Sequence, residues 1–140
     1  MQKDRMASFD LDGSLIGNTG NIHSRECRTA LTEMMMRLFD LWQINYTDQA
    51  ALLNRSLGSI RRYRSGRCIG DDEEMYDRVA TLLGIHKNLR ILYPYNRDLV
   101  YSWVSFQNQA FGDKSPIEIM KEGFDGLKRV RGYLDYQLQC

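Results

Sequence analysis

Two groups of residues in this chain have types and spacings suited to chemistry. The first is acidic. Asp10 and Asp12 lie close together in Phe9-Asp10-Leu11-Asp12-Gly13-Ser14-Leu15, and Asp71-Asp72-Glu73-Glu74 form a second acidic run. Paired carboxylates can bind magnesium, and a carboxylate can also act as a nucleophile. The second group is basic. Between Gln49 and Gly70 only Arg55, Arg61, Arg62, Arg64 and Arg67 carry charge once past Asp48. Such a cationic block is the footprint of a surface that meets phosphate. A solvated helix face has the same composition.

The rest of the composition narrows the choices. The chain has 140 residues and a formal net charge of +1, which fits one compact unit or two small halves sharing a core. Its overall charge gives no pointer to nucleic acid, so only the local block does. Cys27, Cys68 and Cys140 are far apart and odd in number. No signal-peptide pattern precedes them, so we expect a reducing, cytoplasmic setting and no disulfide framework. Zinc spacing is absent, His23 and His86 have no ligand partners nearby in sequence, and His86 falls on an apolar helical stripe. We expect no metal and no cofactor. No apolar run is long enough to span a membrane.

The elements that would position these residues read as helices. Residues 1–23 are Gly-, Asn- and Asp-rich and suggest a flexible arm. Leu31, Met34, Met35, Leu38, Leu41 and Trp42 then recur at helical steps. Asn45 and Tyr46 break that helix, and Thr47 offers a cap for a short helix ending at Leu53. Asn54 suits a left-handed turn residue. Ser56 caps the next helix, and Gly66 ends it. Met75, Val79, Leu82, Leu83, His86, Leu89 and Leu92 form a long stripe stopped by Pro94. A further helix covers about Asp98 to Phe106. Ser115-Pro116-Ile117-Glu118 is a helix start with a capping box, and the last helix runs from about Asp125 to Leu138. The expected fold is all-α, with about seven helices and no sheet.

The pair of short helices has the makings of a helix-turn-helix. Ala50 is small where the helices would cross, and Leu57, Ile60 and Tyr63 would pin the second helix to the core. Its outward residues then enter a major groove. Ser56, Gly58, Ser59 and Arg62 would face bases, and Thr47, Arg61, Arg64 and Arg67 would also lie in the DNA-binding set, the arginines on phosphates. The alternative is a helical hairpin with a structural role only.

The run from Leu52 to Gly66 resembles the helix-turn-helix of Xre-like antitoxins. Leu83 to Pro94, then Trp103, Asn108, Phe111-Gly112, Ser115-Pro116 and Val130-Arg131-Gly132-Tyr133-Leu134-Asp135 resemble the toxin-binding part of the Xre/MbcA/ParS antitoxin family. The resemblance covers about Ala30 to Cys140. Asn54 stands where a turn glycine is more usual, and Arg55 where an apolar residue is. The resemblance implies a non-enzymatic antitoxin of a type II pair. Its partner would be a RES-domain toxin, which is ADP-ribosyltransferase-like and consumes NAD. The complex would repress its own operon. A homodimer is expected, because operators read by such units are commonly palindromic.

The organisation implied is an arm over residues 1–23, a helix-turn-helix domain over 24–70, and a linking helix with toxin-binding domain over 71–140. In that last part, Asn108, Phe111, Lys114, Phe124, Leu127, Lys128, Arg131, Tyr133, Leu134 and Leu138 are the expected toxin contacts. Val130, Arg129 and Tyr136 lie among them. Some of these must instead close the domain's own core. The competing reading is a stand-alone helix-turn-helix regulator with a helical dimerisation half.

The acidic pairs also resemble something. Phe9 to Leu15 is similar to the nucleophile motif of haloacid-dehalogenase-like phosphatases, and Ile69-Gly70-Asp71-Asp72 to that family's later acidic motif. The setting argues against this. Each pair should end a buried strand, yet Met1 to Ser8 is short and polar, and Asp71 and Asp72 begin a helix. The alternating strands of a parallel sheet are missing.

Overall fold

The computed structural model describes residues 23–139. The arm through residue 22, with Asp10 and Asp12, and the terminal Cys140 lie outside the described residues. Within them the chain forms α1 (Arg25–Leu41), α2 (Tyr46–Leu53), α3 (Leu57–Arg64), α4 (Glu73–Leu92), α5 (Arg97–Ser102), α6 (Pro116–Met120) and α7 (Phe124–Gln139). Two short 3-10 turns, Trp103–Ser105 and Gln109–Phe111, join α5 to α6. No strand occurs among the described residues; a lone bridge pairs Asn108 with Lys114. The all-α expectation holds.

Local chemistry sets most boundaries. Ser24, Ser56 and Ser115 each turn a hydroxyl back onto an N–H of the first turn of α1, α3 and α6. The cap of α2 differs from the expected Thr47. It is Asn45, extended at φ −72 and ψ 166, whose side chain accepts from the Asp48 N–H. Thr47 is therefore inside the first turn. The first three helices end alike. Gln43, Asn54 and Gly66 take positive φ at 59, 54 and 110. The next N–H then reaches back: Ile44 to Phe39 O, Arg55 to Ala50 O and Arg67 to Arg62 O. This closure satisfies carbonyls that a helix end leaves open.

The capping box at Ser115 can be tested. The Glu118 N–H donates to Ser115 Oγ at 3.3 Å, and the Ser115 N–H donates to Glu118 Oε1 at 2.9 Å. Hydrogen bonds from the Ser115 backbone and then its hydroxyl hold the Glu118 carboxyl below its ordinary 4.5. A carboxyl depressed on folding contributes above its unfolded value and loses that contribution as pH falls through the folded one. We expect Ser115→Ala to cost about 1 kcal/mol at neutral pH and less at a pH low enough to protonate Glu118 in the folded chain, below its lowered pKa. Urea midpoints at the two pH values measure this. An equal loss at both would show that the carboxylate is not part of the cap.

One apolar cluster runs from Leu31 and Phe39 through Leu52, Ile60, Leu82 and Leu89 to Leu127 and Leu134. Helices α1 to α3 and the C-terminal helices thus share a core built around α4. Met35 and Met36 belong to it, and Met34 is buried as well. His86 is fully buried and stacks on Tyr101 at 5.4 Å, as a core residue.

Helix α7 lies alongside α4 in the same direction. Arg131 donates to Ala80 O, and Asn88 Nδ2 donates to Asp135 Oδ1 at 2.7 Å, four residues further along α7 and eight further along α4. Glycines permit the close approaches. A Cβ on Gly84 would meet the Arg131 guanidinium at 2.5 Å, and one on Gly126 would fall 1.9 Å from the Ile119 carbonyl oxygen. Gly132 differs. A Cβ there would meet nothing within 4 Å, so the fold itself gains nothing from a residue that costs a helix interior about 1 kcal/mol relative to alanine.

Candidate functional site

The basic block divides once folded. Arg55 turns away from the α3 surface to pair with Asp72 and Glu74, covering the acidic start of α4. Arg64 also turns inward. Its Nη1 holds both Asp40 oxygens at 2.8 and 2.9 Å, its Nη2 donates to Gln49 Oε1 at 3.0 Å, and its guanidinium lies over the Tyr46 ring. It ties α3 to α1 and α2, and its cation is largely spent inside the protein. Of the residues expected to hold α3, Ile60 is fully buried and Tyr63 half-buried, but Leu57 is exposed. The inward line runs through Ile60 and Arg64, one turn apart, and leaves Leu57 at the rim.

Arg61, Arg62 and Arg67 remain exposed. Ser56, Ser59 and Arg62 form a ladder along one edge of α3: Ser56 Oγ donates to Ser59 Oγ at 3.2 Å, and Arg62 Nη2 donates to Ser59 Oγ at 3.0 Å. The Arg62 guanidinium folds back over Gly58, whose missing Cβ would stand 3.4 Å from it. Serine hydroxyls, an arginine fork and open backbone thus converge on the N-terminal half of α3. Thr47 is exposed at the start of α2, beside Asp48, which takes a salt bridge from Lys121, the C-cap of α6.

The residues chosen in the C-terminal half separate by burial. Leu127 and Leu134 are 0 and 1 % exposed, and Phe111 is 3 %. Val130 is fully buried with them. These residues fill the core against α4, α5 and α6, so a docking protein would not touch them without unfolding the chain. Phe124 is half-buried between Arg78 and Lys128, each over its ring. Tyr133 stacks on Trp103 and meets the edge of Phe111. Arg131 is taken up by Ala80 O and Asp135.

What remains outward is Lys114, Lys128, Arg129, Tyr136 and Leu138, with Asn108 at the base of a tight loop. Asn108 makes that loop: its side chain accepts from the Ala110 N–H and its carbonyl from Phe111 and Asp113. Asp113 and Gly112 at the tip both have positive φ. Lys114 pairs with Glu122 across the loop's foot.

Exposed Ile91, Tyr95 and Phe106 were not singled out from the sequence. Each is an isolated apolar residue by pattern, so periodicity carries no signal for it. A cleft of about 430 Å³, bordered by Trp42, Gln43, Arg97, Tyr101 and Phe106, also went unread because its walls come from α1 and α5.

The described residues hold no group of three or more His, Cys, Asp or Glu placed to bind a metal. No helix among them is long and apolar enough to cross a membrane. Of the second acidic pair, Asp71 pairs with His23 at 2.7 Å and accepts a hydrogen bond from Tyr76, which together lower its pKa, while Asp72 is held by Arg55.

Residues 88–137 match the family model of the antitoxin Xre/MbcA/ParS C-terminal toxin-binding domain. The matched stretch starts inside α4 and ends inside α7, so it takes in α5, both 3-10 turns, the Asn108 loop and α6. The family resemblance read from the sequence is thus shown over this part. No curated protein matches the chain.

Proposed function

We propose that this chain is the antitoxin of a type II toxin–antitoxin pair, which binds its toxin through the surface formed by residues 88–137 and acts without chemistry of its own. The family match over that stretch carries the reading. The toxin is of the RES-domain, NAD-consuming kind, and the antitoxin covers its active-site cleft. The central helices read operator DNA and let the complex regulate its own synthesis. Support for this second part is the Ser56, Ser59 and Arg62 ladder over Gly58 at the start of α3, beside exposed Arg61 and Arg67. The protein works in the cytoplasm, as a dimer on DNA.

Co-expression tests the toxin reading. The product of a neighbouring gene should halt growth alone, deplete NAD, and be captured and silenced by this chain. Normal growth with each neighbour, or arrest unrelieved by this chain, would reject the reading. Deleting α7 is a poor test of docking, since it strips Leu127, Val130 and Leu134 from α4. Substitutions on its outer face are the appropriate probes.

A further inference from the structure

We propose that the toxin seats on the outward face of α7 centred on Gly132, with a toxin backbone segment against the glycine and a toxin carboxylate paired to Arg129 and Lys128. This rests on the toxin-binding reading above and adds where, and to what chemistry, the surface binds.

Four glycines lie within the helices. Gly84 and Gly126 are required by contacts inside the chain, and Gly58 lies under the Arg62 guanidinium. Gly132 stands near the middle of the 16-residue α7, exposed, with open space where a Cβ would be. Nothing in the fold accounts for it. A missing side chain on an outer helix face does one thing well: it lets another backbone come close.

The neighbours supply what such an approach needs. Lys128 and Arg129, one turn before Gly132, and Tyr136, one turn after, flank it on the same face. Tyr136 is 64 % exposed. Arg129 lies over the Phe111 ring at 5.5 Å, and among the described residues no carboxylate pairs with it. The Phe111 ring fixes the guanidinium while leaving its charge to be matched from outside. Lys128 is 3.8 Å from Asp125, an exposed pair of the kind that exchanges readily for a better one. The remaining acid nearby, Asp135, is engaged by Asn88 and Arg131. The face therefore offers unmatched positive charge beside a notch, with tyrosine and arginine as anchors, the residue types that dominate binding energy at interfaces. All of it falls within residues 88–137.

The test uses the full chain and the toxin cloned from the adjacent gene. Gly132→Ala should raise Tm by about 4 °C, since it improves the helix without a clash. Gly132→Leu should fold with a Tm no lower than the native chain, yet bind the toxin at least about tenfold more weakly. Arg129→Glu, at an exposed position, should weaken capture by a similar factor with Tm unchanged. Undiminished capture by both Gly132→Leu and Arg129→Glu overturns this surface while leaving the toxin-binding reading intact. Loss with Arg129→Glu alone overturns the seat at Gly132. If the native chain captures no toxin, the reading beneath it falls as well.

Discussion

Gly126→Ala is expected to destabilise the chain by about 3 kcal/mol, the upper end for forcing a methyl into a filled core. The added carbon would fall 1.9 Å from the Ile119 carbonyl oxygen and 2.9 Å from its carbon. Both are backbone atoms, so no rotamer change can relieve the overlap. Helices α6 and α7 must move apart, and Met120 and Leu127, both fully buried, would lose packing as they do. The loss is net of the propensity gain that alanine brings to any helix interior. The same change at Gly132 has only that gain to show. One substitution, made twice in one helix, should thus move urea midpoints in opposite directions. A Gly126→Ala midpoint equal to the native one would mean that α6 and α7 do not meet in this register.

The contrast between these glycines also marks where sequence reading ends. What local chemistry decides was legible. Ser56, Ser115, Asn54 and Gly66 act on residues within a turn of themselves, so their roles follow from type and spacing. Thr47 is the instructive miss: two cap-capable residues stood close together, and the choice fell to Asn45 because α1 had already ended at Gln43 with a left-handed residue. The long stripes were legible too, but a stripe does not say what it packs against. Leu127 and Leu134 recur at the spacing of an interface and turn out to face α4. Whether an apolar line meets its own chain or another is decided by helices distant in sequence.

Arg64 meets the same limit. Its type and place fitted a phosphate contact, yet its partners Asp40 and Gln49 lie 24 and 15 residues away. In the C-terminal half, burial removed Phe111, Leu127, Val130 and Leu134 and left the cations, Asn108, Tyr136 and Leu138. The surface that remains is thus more polar than the sequence pattern suggested.

Replacing Arg61, Arg62 and Arg67 together by alanine should reduce binding to the chain's own upstream DNA by at least about 100-fold, with little change in Tm. Each is exposed and bears none of the core. The three should be separable by salt. The proposed DNA reading places Arg61 and Arg67 on phosphates, so the pair of alanines should lower the slope of log affinity against log salt by about 2 per protomer. Arg62 lies across Gly58 with its fork held by Ser59, a geometry suited to a base edge. Arg62→Ala should leave that slope nearly unchanged beyond one charge and narrow the gap between operator and unrelated DNA by about 1–3 kcal/mol. Arg64→Ala is the internal control. It should lower stability by freeing Asp40 and Gln49 from α3, and any loss of DNA affinity should track unfolding. Unchanged affinity in the triple variant would make α2 and α3 a structural hairpin, and repression would have to be sought in another part of the operon.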